Sequence, residues 1–450
     1  MAARHKVLIL GGGFGGLVAA QTLKRAPVDV TLIDRRNFHV FQPLMYQVAT
    51  GSLSPGDIAA PLRGVLSKQK NVQVLLGEAS EIDPKAKQVT LSDGGVFAYD
   101  SLIVATGSQT SYYGKDGWRK WAPSLKSIEE ATDIRHKILY AFEEAERAST
   151  PEEARAWLTF VIVGAGATGI ELAGALAEIA NETLKNDFRH INPRDSQIWL
   201  VDGGARVLAS YPEDLSAKAE KLVTKLGVKI AKNLIVTNIY QDGVTYKRGD
   251  HSELMPAKTV LWAGGIISTA FGKKLAERTQ SETDKTGRIT VKADLTVPNY
   301  PDIFVIGDLA HAVGKDDRAL PGVAQVAIQG GAYAARAVRA RAEGKEPGKP
   351  FHYFNKGDMA VIGRAAAVAN IFGLHLSGLL AWLIWLFVHL MYIVEFQSRV
   401  IVFIQWGFEY LTFSRGARLI TGSAATDVLG PSTNLASAHS AGVEETVIQR

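Results

Sequence analysis

A ten-residue stretch near the start of the chain, VLILGGGFGG at residues 7–16, decides the fold class. Its four leading apolar residues predict a buried strand, and the glycines behind them have the spacing of a turn that binds a dinucleotide. Those glycines are Gly11, Gly13 and Gly16. Glycine lets the backbone approach a pyrophosphate, whose negative charge lies at the N-terminus of the following helix. The next predicted strand, residues 28–33, ends at Asp34, which is placed to accept hydrogen bonds from a ribose.

A second copy of this pattern, LTFVIVGAGATG, occupies residues 158–169. Its glycines are Gly164, Gly166 and Gly169. Asp202 ends the next predicted strand, residues 197–201, but it lies farther from the glycines than is usual, and we assign the extra length to an extended helix and a loop. One glycine turn is a weak signal, because close packing of a helix on a strand also selects glycine. Two copies predict an α/β fold with two Rossmann-type units.

Three further strands that end in small residues indicate how the units are arranged. They are residues 99–107, ending in Thr106 and Gly107; residues 258–265, ending in Gly264 and Gly265; and residues 303–306, which run into Gly307 and Asp308. The third of these strands follows the second unit, so we place it back in the first unit and treat the second unit as an insertion. The predicted boundaries are 1–113 with 285–342 for the first unit, 114–284 for the inserted unit, 343–420 for a C-terminal helical module and 421–450 for a flexible tail.

The C-terminal module is strongly apolar. Residues 365–394 contain no Asp, Glu, Lys or Arg, and we assign the small residues at 365–373 to the folded body. The remaining apolar run, residues 379–394, is shorter than the roughly 20 residues that cross a bilayer. Residues 400–413 carry polar side chains along one side of a predicted helix, a pattern typical of helices at an interface. We therefore predict two helices that attach to one face of a membrane without crossing it.

Polar side chains around these helices are interpreted as contacts with the membrane surface. Arg399, Arg415 and Arg418 flank the second helix and suit anionic lipid head groups. His375 and His389 are predicted to be polar anchors at the interface. An anionic bilayer surface is therefore the predicted lipid partner.

The composition excludes several classes of protein. The chain has 450 residues and no cysteine, which excludes disulfide bonds, cysteine-ligated metals, iron–sulfur clusters and redox thiols. The formal net charge of +5 is only mildly basic, and we predict neither a nucleic-acid partner nor a metal site. The apolar run at residues 7–10 is too short for a secretory signal, so we expect a folded domain in the cytoplasm.

Two dinucleotides on one chain predict a flavin that receives a hydride from a nicotinamide cofactor. Asp202 would repel the 2′-phosphate of NADPH, which favours NADH, although the neighbouring Arg206 would suit a phosphate. Because the chain has no thiol, the electrons must pass to an acceptor other than a protein disulfide. The apolar C-terminus makes a lipid quinone the natural acceptor.

The chain resembles the type II NADH dehydrogenases, the non-pumping NADH:quinone oxidoreductases, within the flavoproteins that have two dinucleotide-binding domains. The resemblance runs from residue 7 to about residue 420 and is carried by the two glycine turns and six further segments. These are FQPLMYQVATG at 41–51, ATG at 105–107, WAGG at 262–265, GD at 307–308, AQVAIQ at 324–329 and KGDMAVIGR at 356–364. The resemblance implies non-covalent FAD, NADH as electron donor and a membrane quinone as acceptor.

The resemblance also implies residues that hold the two cofactors. It places Asp308, Thr106 and Gly107 at the flavin, and Gly264 and Glu171 at the nicotinamide. A plain helix cap is the alternative for Asp308. For Glu171 the alternative is an acid favoured by the dipole in the first turn of a helix.

On the acceptor side, the resemblance implies that Gln325 and Gln329 line a quinone pocket, with Gln325 also touching the flavin. Because they are four residues apart, they share one helical face, and a solvated face is the alternative. Lys356 would supply protons near that pocket or balance charge on the flavin, and an ordinary surface lysine is the alternative.

For the whole protein, the resemblance implies attachment to the cytoplasmic face of the plasma membrane, with a homodimer as a candidate assembly. Two other functions stay open from the sequence. One is an NADH-dependent reductase with a soluble acceptor such as ferredoxin or oxygen. The other is an NADH-sensing flavoprotein of the apoptosis-inducing-factor kind, in which Gln325, Gln329 and the apolar C-terminus would have no purpose.

Overall fold

A computed structural model describes residues 4–249, 251–315, 317–346 and 348–421. The predicted tail at 421–450 lies outside this part of the chain except for its first residue. The strands are β1 (His5–Leu10), β2 (Val28–Asp34), β3 (Phe38–Val40), β4 (Ala59–Pro61), β5 (Val72–Leu76), β6 (Ala79–Asp83), β7 (Gln88–Leu91), β8 (Val96–Ala98), β9 (Ser101–Val104), β10 (Ser108–Thr110), β11 (Thr159–Val163), β12 (Gln197–Val201), β13 (Lys229–Ala231), β14 (Ile235–Tyr240), β15 (Gly243–Arg248), β16 (His251–Pro256), β17 (Thr259–Trp262), β18 (Ile266–Ser268), β19 (Ile289–Thr290), β20 (Thr296–Val297), β21 (Tyr300–Val305), β22 (Ala310–His311), β23 (Asp358–Gly363), β24 (Ala366–Ile371) and β25 (Leu374–Gly378). The α-helices are α1 (Phe14–Thr22), α2 (Met45–Ala49), α3 (Pro55–Ile58), α4 (Leu62–Leu66), α5 (Ile128–Arg147), α6 (Pro151–Trp157), α7 (Ala167–Glu178), α8 (Glu213–Lys225), α9 (Ala270–Thr279), α10 (Ala324–Ala342), α11 (Leu379–Tyr392) and α12 (Phe396–Thr412).

The first unit is built on a six-stranded sheet with the order β20-β21-β9-β1-β2-β5. All its neighbouring strands from β21 to β5 pair in parallel. The last four residues of β1 and all of β9 are buried, as expected for apolar strands covered on both faces. β21 pairs with β9, so the strand predicted at 303–306 does return to the first sheet. Because β1 lies between β2 and β9, a crevice forms at the carboxyl ends of these strands.

The second unit repeats this arrangement in a four-stranded parallel sheet with the order β13-β12-β11-β17. After α7, a further helical turn covers Ile179–Thr183 and a loop leads to β12. This extra helix and loop explain the long spacing between the glycine turn and Asp202. The predicted boundary at residue 284 assigns α9 to this unit, yet Phe271 and Leu275 of α9 pack in the core of the first sheet, beside Leu8 and Leu10.

The C-terminal module begins with a three-stranded antiparallel sheet, β23-β24-β25. This sheet includes most of the small residues that the sequence assigns to the folded body. β23 lies directly against α7, because a Cβ at Gly174 would be 1.7 Å from the carbonyl oxygen of Ile362. The module therefore joins the inserted unit through backbone contact.

Two helices, α11 and α12, complete the module, as the sequence predicts. Within the described ranges, no helix has both the length and the apolar character that a bilayer crossing requires. The inward side of α12 carries Ser398, Val402 and Trp406, all of them buried. Its outward side carries Phe403 and Phe408, each 58% exposed. Large apolar side chains thus face away from the protein on this helix, the reverse of an ordinary surface helix.

Each of the three flanking arginines has a hydrogen-bond partner within the protein, and their predicted contacts with lipid head groups stay a prediction. Arg399 Nε donates to Ile393 O at 2.6 Å. Arg415 is buried and pairs with Glu178 Oε2 at 3.0 Å. Arg418 donates to Asp187 Oδ2 at 2.5 Å and to Arg415 O at 3.1 Å.

The two histidines also have partners within the protein, although His375 is exposed, and their role as anchors at an interface stays a prediction. His375 lies on β25, and its Nδ1 is 2.8 Å from Asp214 Oδ1 of α8. His389 stacks on Trp385 with ring centroids 4.2 Å apart, and its Nδ1 is 2.7 Å from Trp385 O. Burial lowers the pKa of His389 to about 4, so this ring is neutral at physiological pH.

Candidate active site

The two glycine turns have the same backbone geometry. Gly11 has a φ of +102° and Gly164 a φ of +108°, in the region that favours glycine. A Cβ at Gly16 would lie 1.8 Å from Gly11 O, and a Cβ at Gly169 would lie 1.8 Å from Gly164 O. Each helix therefore starts in contact with its own turn, and the predicted repeat is confirmed in the backbone geometry of the two turns.

The middle glycine of each turn borders open space. A Cβ at Gly13 or at Gly166 would meet nothing within 4 Å. These glycines are the N-cap residues of α1 and α7, and neither helix is capped by a side chain there. Free backbone N–H groups beside open space suit the pyrophosphate of a dinucleotide. The residues of both turns thus fit the pyrophosphate of a dinucleotide such as FAD or NADH.

Asp34 and Asp202, which lie at the end of the second strand of each unit, accept hydrogen bonds from backbone N–H groups in the same way. The bonds are Gly12 N to Asp34 Oδ2 (2.5 Å), Arg36 N to Asp34 Oδ1 (2.7 Å), Ala165 N to Asp202 Oδ2 (2.6 Å) and Gly204 N to Asp202 Oδ1 (2.6 Å). Each carboxylate oxygen keeps a second acceptor position for a ribose hydroxyl. The guanidinium of Arg206 donates to the backbone carbonyl oxygens of Tyr211 and Ala209.

Asp308 and the threonine–glycine pair meet at the carboxyl edge of the first sheet, because β9 and β21 are neighbours. Asp308 accepts from Ser108 Oγ at 2.9 Å and from Lys126 Nζ at 3.4 Å, so its carboxylate is not used as a helix cap. Thr106 Oγ1 lies 3.1 Å from Thr269 Oγ1. At Gly107, where φ is +68°, a Cβ would again meet nothing within 4 Å. The edge thus offers polar groups beside open space.

On the nicotinamide side, Gly264 follows β17 and borders the second turn, since its Cβ would be 3.8 Å from Gly164 Cα. Glu171 lies beyond the first turn of α7 and lines a pocket between the three parts of the chain. Burial raises the pKa of Glu171 to about 8, although the N–H of Val361 acts in the opposite direction by donating to it. Glu171 therefore lies in the lining of the pocket beyond the first turn of α7, and not at the helix end.

On the acceptor side, the structure joins Gln325 and Lys356 through a residue that the sequence analysis missed, Tyr392. Lys356 Nζ donates to Tyr392 Oη at 2.9 Å, and the Gln325 side chain is close enough to lower the pKa of the same hydroxyl. The bond from Lys356 lowers the pKa of Tyr392. Among the described residues, the buried Oε1 of Gln325 has no partner. A tyrosine at the end of an apolar helix looks like an interfacial aromatic in the sequence, so no signal singled it out.

Gln329 lies on the same helix, α10, but its amide is engaged with backbone. Its Nε2 donates to Phe354 O at 2.9 Å, and its Oε1 accepts from Phe354 N at 2.9 Å. Gln329 therefore holds the segment that precedes β23, and only Gln325 of the pair offers an unpartnered amide oxygen.

A polar junction links α12 and the residues after it to the two nucleotide units. Trp406 Nε1 donates to Gln47 Oε1 at 2.7 Å, and Gln47 Nε2 donates to Tyr46 Oη at 2.8 Å. Arg415 donates to Glu178 and also to Thr50 O at 3.2 Å. We refer to these residues as the junction. Since its members lie far apart in the sequence, periodicity does not reveal it.

Comparison with known families covers most of the chain. Residues 5–331 match the family model of pyridine nucleotide-disulphide oxidoreductases, and residues 355–415 match the model of the NDH2 C-terminal domain. The chain is 45% identical over 429 residues to the type II NADH:quinone oxidoreductase Ndh of Mycobacterium tuberculosis, covering 94% of this chain and 91% of that protein. It is 31% identical over 382 residues to the type II NADH:quinone oxidoreductase of Staphylococcus saprophyticus, covering 83% of this chain and 92% of that protein.

Solved structures show the same fold. NDH2 of Plasmodium falciparum, in complex with NADH, superposes with a TM-score of 0.81 at 21% identity, covering 92% of this chain and 99% of that one. The sulfide:quinone oxidoreductase of Aquifex aeolicus superposes with a TM-score of 0.66 at 19% identity, covering 94% of each chain.

Proposed function

The chain belongs to the family of type II NADH:quinone oxidoreductases, and we propose that it oxidises NADH with bound FAD and reduces a membrane quinone. The observation that carries this proposal is the occurrence of two dinucleotide turns of equal geometry in a chain without cysteine. Electrons that enter from NADH cannot pass to a protein thiol. The net reaction converts NADH, quinone and one proton into NAD⁺ and quinol.

Bound FAD supplies a ring system that accepts a hydride from NADH and gives two electrons to a quinone. The N-terminus of α1 and the open space at Gly13 would hold its pyrophosphate, with Asp34 accepting from the ribose. Asp308 and Gly107 at the carboxyl edge border the remainder of the cofactor. These contacts are non-covalent, and Thr106 positions the edge through Thr269.

The inserted unit binds and orients NADH by the equivalent groups. The N-terminus of α7 beside Gly166 would hold the pyrophosphate, and Asp202 would accept from the adenine ribose. Gly264 borders the turn without a side chain that could block the nicotinamide. Glu171, buried close to this turn, can hold a proton at neutral pH because its pKa is raised to about 8.

The acceptor side combines a free amide oxygen with a hydroxyl and an ammonium group. Gln325 and Tyr392 would contact the quinone head, and Lys356 stabilises charge on the Tyr392 hydroxyl. The hydride carries one of the two protons in quinol, so the second proton comes from the protein or from solvent. Lys356 and Glu171 are the groups suited to supply it.

Membrane attachment follows from the outward faces of α11 and α12. Exposed side chains on these faces are Leu379, Leu380, Leu383, Phe387, Met391, Phe396, Phe403, Ile404, Phe408 and Leu411. A continuous apolar surface of this kind is typical of helices that lie in a bilayer interface. Because Arg399, Arg415 and Arg418 each have a partner within the protein, we expect apolar burial to be the main contribution to binding. Attachment is to the cytoplasmic face of the plasma membrane, and homodimerisation stays a prediction.

The proposal is tested with protein purified from membranes in detergent. We expect a flavin absorbance spectrum and NADH oxidation that is strongly stimulated by a short-chain quinone. Turnover with a soluble acceptor only would instead indicate a reductase of that kind. Flavin reduction without turnover on any acceptor would indicate an NADH-sensing protein, and either result would refute quinone reduction.

A further inference from the structure

Three large apolar side chains form an exposed cluster outside the two C-terminal helices. Phe354 lies in the segment before β23, and Phe372 and Leu374 lie at the turn between β24 and β25. Their exposed fractions are 58%, 70% and 62%, and the rings of Phe354 and Phe372 are 5.8 Å apart between centroids. We refer to these three residues as the apolar tip. Contiguous exposed apolar side chains are typical of contacts with a partner or a membrane.

The turn that carries Phe372 has an unusual residue for its backbone conformation. Ile371 of β24 pairs with Leu374 of β25, so Phe372 and Gly373 form a two-residue turn. Both have positive φ, +50° and +86°, as a type I′ hairpin turn requires. Asparagine or glycine adopts positive φ at lower cost than an aromatic residue does. Because the ring of Phe372 is largely exposed, packing in the core does not explain its presence there.

The apolar tip lies beside the acceptor side of the molecule. Lys356, two residues after Phe354, donates to Tyr392 Oη at 2.9 Å and so lies against the last residue of α11. A Cβ at Gly357 would be 1.9 Å from Asn370 O, which places the end of β24 against the same segment. The tip, the end of α11 and the groups that we propose to contact the quinone head therefore meet in one place.

The apolar tip also continues the apolar surface of α11. Strand β25 leads directly into this helix, and Leu376 packs against the core cluster that α11 joins. His375 pairs instead with Asp214 of α8 on the other face of the strand. Side chains two apart in a strand share a face, so Leu374 lies on the α11 side, as Leu376 does. In the last turn of α11, Met391 is 49% exposed, so exposed apolar side chains extend from the helix towards the tip.

We propose that the apolar tip inserts into the bilayer as a third membrane contact, beside the outward faces of α11 and α12. The occupant is the interfacial region of a lipid bilayer, because the tip continues a surface assigned to it and because phenylalanine and leucine are typical of side chains buried there. This inference rests on the proposed attachment and quinone reduction. It adds that the edge of the protein with Gln325, Lys356 and Tyr392 is held against the bilayer, so a quinone head reaches them without crossing water.

Spin labelling tests the insertion directly, because the chain has no cysteine and a single introduced cysteine is labelled alone. Labelled Phe372→Cys holoenzyme is mixed with vesicles of equal parts phosphatidylcholine and phosphatidylglycerol. We expect the vesicles to increase collisions of the label with oxygen and to decrease its collisions with a water-soluble nickel complex. Phe403→Cys on α12 is the positive control. Leu254→Cys in β16 of the inserted unit, where the native side chain is 62% exposed, is the matched control that should not respond.

A polar residue at the tip should weaken attachment. Full burial of a phenylalanine side chain strengthens partitioning about ten- to a hundredfold, and partial burial at the tip should make Phe372→Ser bind these vesicles about three- to tenfold more weakly. Phe372→Trp should bind like wild type, and so should Leu254→Ser. Turnover with a long-chain quinone in the vesicles should fall in Phe372→Ser, whereas turnover with a short-chain quinone and bleaching of the flavin by NADH should stay normal.

Three results would overturn the inference. The first is a Phe372 label that stays accessible to nickel on vesicles that protect the Phe403 label. The second is wild-type vesicle binding by Phe372→Ser. The third is a Phe372 label protected before vesicles are added, in a particle of twice the mass, which would show that a second copy of the chain covers the tip.

Failure of the proposed function gives a different pattern. If the vesicles leave the Phe403 label accessible as well, the proposed membrane attachment is wrong and the inference is wrong with it. If wild type binds vesicles but does not reduce quinone, the proposed reaction is wrong, and the label at Phe372 still shows whether the tip inserts.

Discussion

Replacing Glu178 with Gln should loosen the docking of the C-terminal helices by about 2 to 4 kcal/mol. The substitution leaves the Arg415 guanidinium, which is only 7% exposed, without a counter-charge. Removing one partner of a buried pair typically costs about 3–5 kcal/mol, and the 20% exposure of Glu178 with the remaining bond to Thr50 O reduces this figure. The loss should be local, since the pair connects α7 with the segment after α12.

The amide of Ala417 reports this loosening, because it donates to Gly51 O at 3.0 Å across the same contact. Native-state hydrogen exchange at Ala417 should accelerate by about 30- to 700-fold, the kinetic equivalent of that free energy. Glu144→Gln is the control, because its pair with Arg147 is exposed and should cost less than about 0.5 kcal/mol. Adding Arg415→Met to Glu178→Gln should cost little more. Exchange within about threefold of wild type in Glu178→Gln, or full additivity in the double variant, would refute this account.

Three further predictions concern cofactor choice, the acceptor side and the membrane. Asp202→Ser should narrow the ratio of kcat/KM between NADH and NADPH, because it removes the charge that repels a 2′-phosphate; an unchanged ratio would contradict this reading. Gln325→Leu should raise KM for quinone, while bleaching of the flavin by NADH stays normal. Gln329→Leu should instead lower the free energy of unfolding by about 1–3 kcal/mol, because two hydrogen bonds to Phe354 are lost, and should change KM little. High salt should leave the protein on membranes and detergent should release it, since the described arginines near α12 are paired internally; release by salt alone would show that electrostatic contacts dominate.

The nucleotide turns could be predicted from the sequence because their physics is local. A buried strand, a glycine with positive φ and a helix follow one another within about a dozen residues, and each has a recognisable sequence pattern. Residues 7–16 therefore indicate both the fold and the ligand. The same holds for Asp34 and Asp202, whose places at strand ends determine what they can reach.

The acceptor side could be predicted only in part, because its contacts join distant segments. Arg415 and Glu178 are separated by 237 positions, and Trp406 and Gln47 by 359. The amphipathic pattern of α12 shows that the helix has two faces but not which of them meets the protein. The pattern of apolar and polar residues does not say which face of the helix packs on the protein. That Glu409 faces inward is therefore known only from the structure.

The tight contacts at Gly16 and Gly169 have a genetic consequence. Every missense change at these codons adds a Cβ where 1.8 Å separates it from a backbone oxygen, so a comprehensive mutational library should contain almost no functional substitution at either position. The middle glycines, Gly13 and Gly166, border open space, and alanine there should be compatible with folding. A library selected for stable protein and a library selected for respiration should therefore tolerate different substitutions in the two glycine turns.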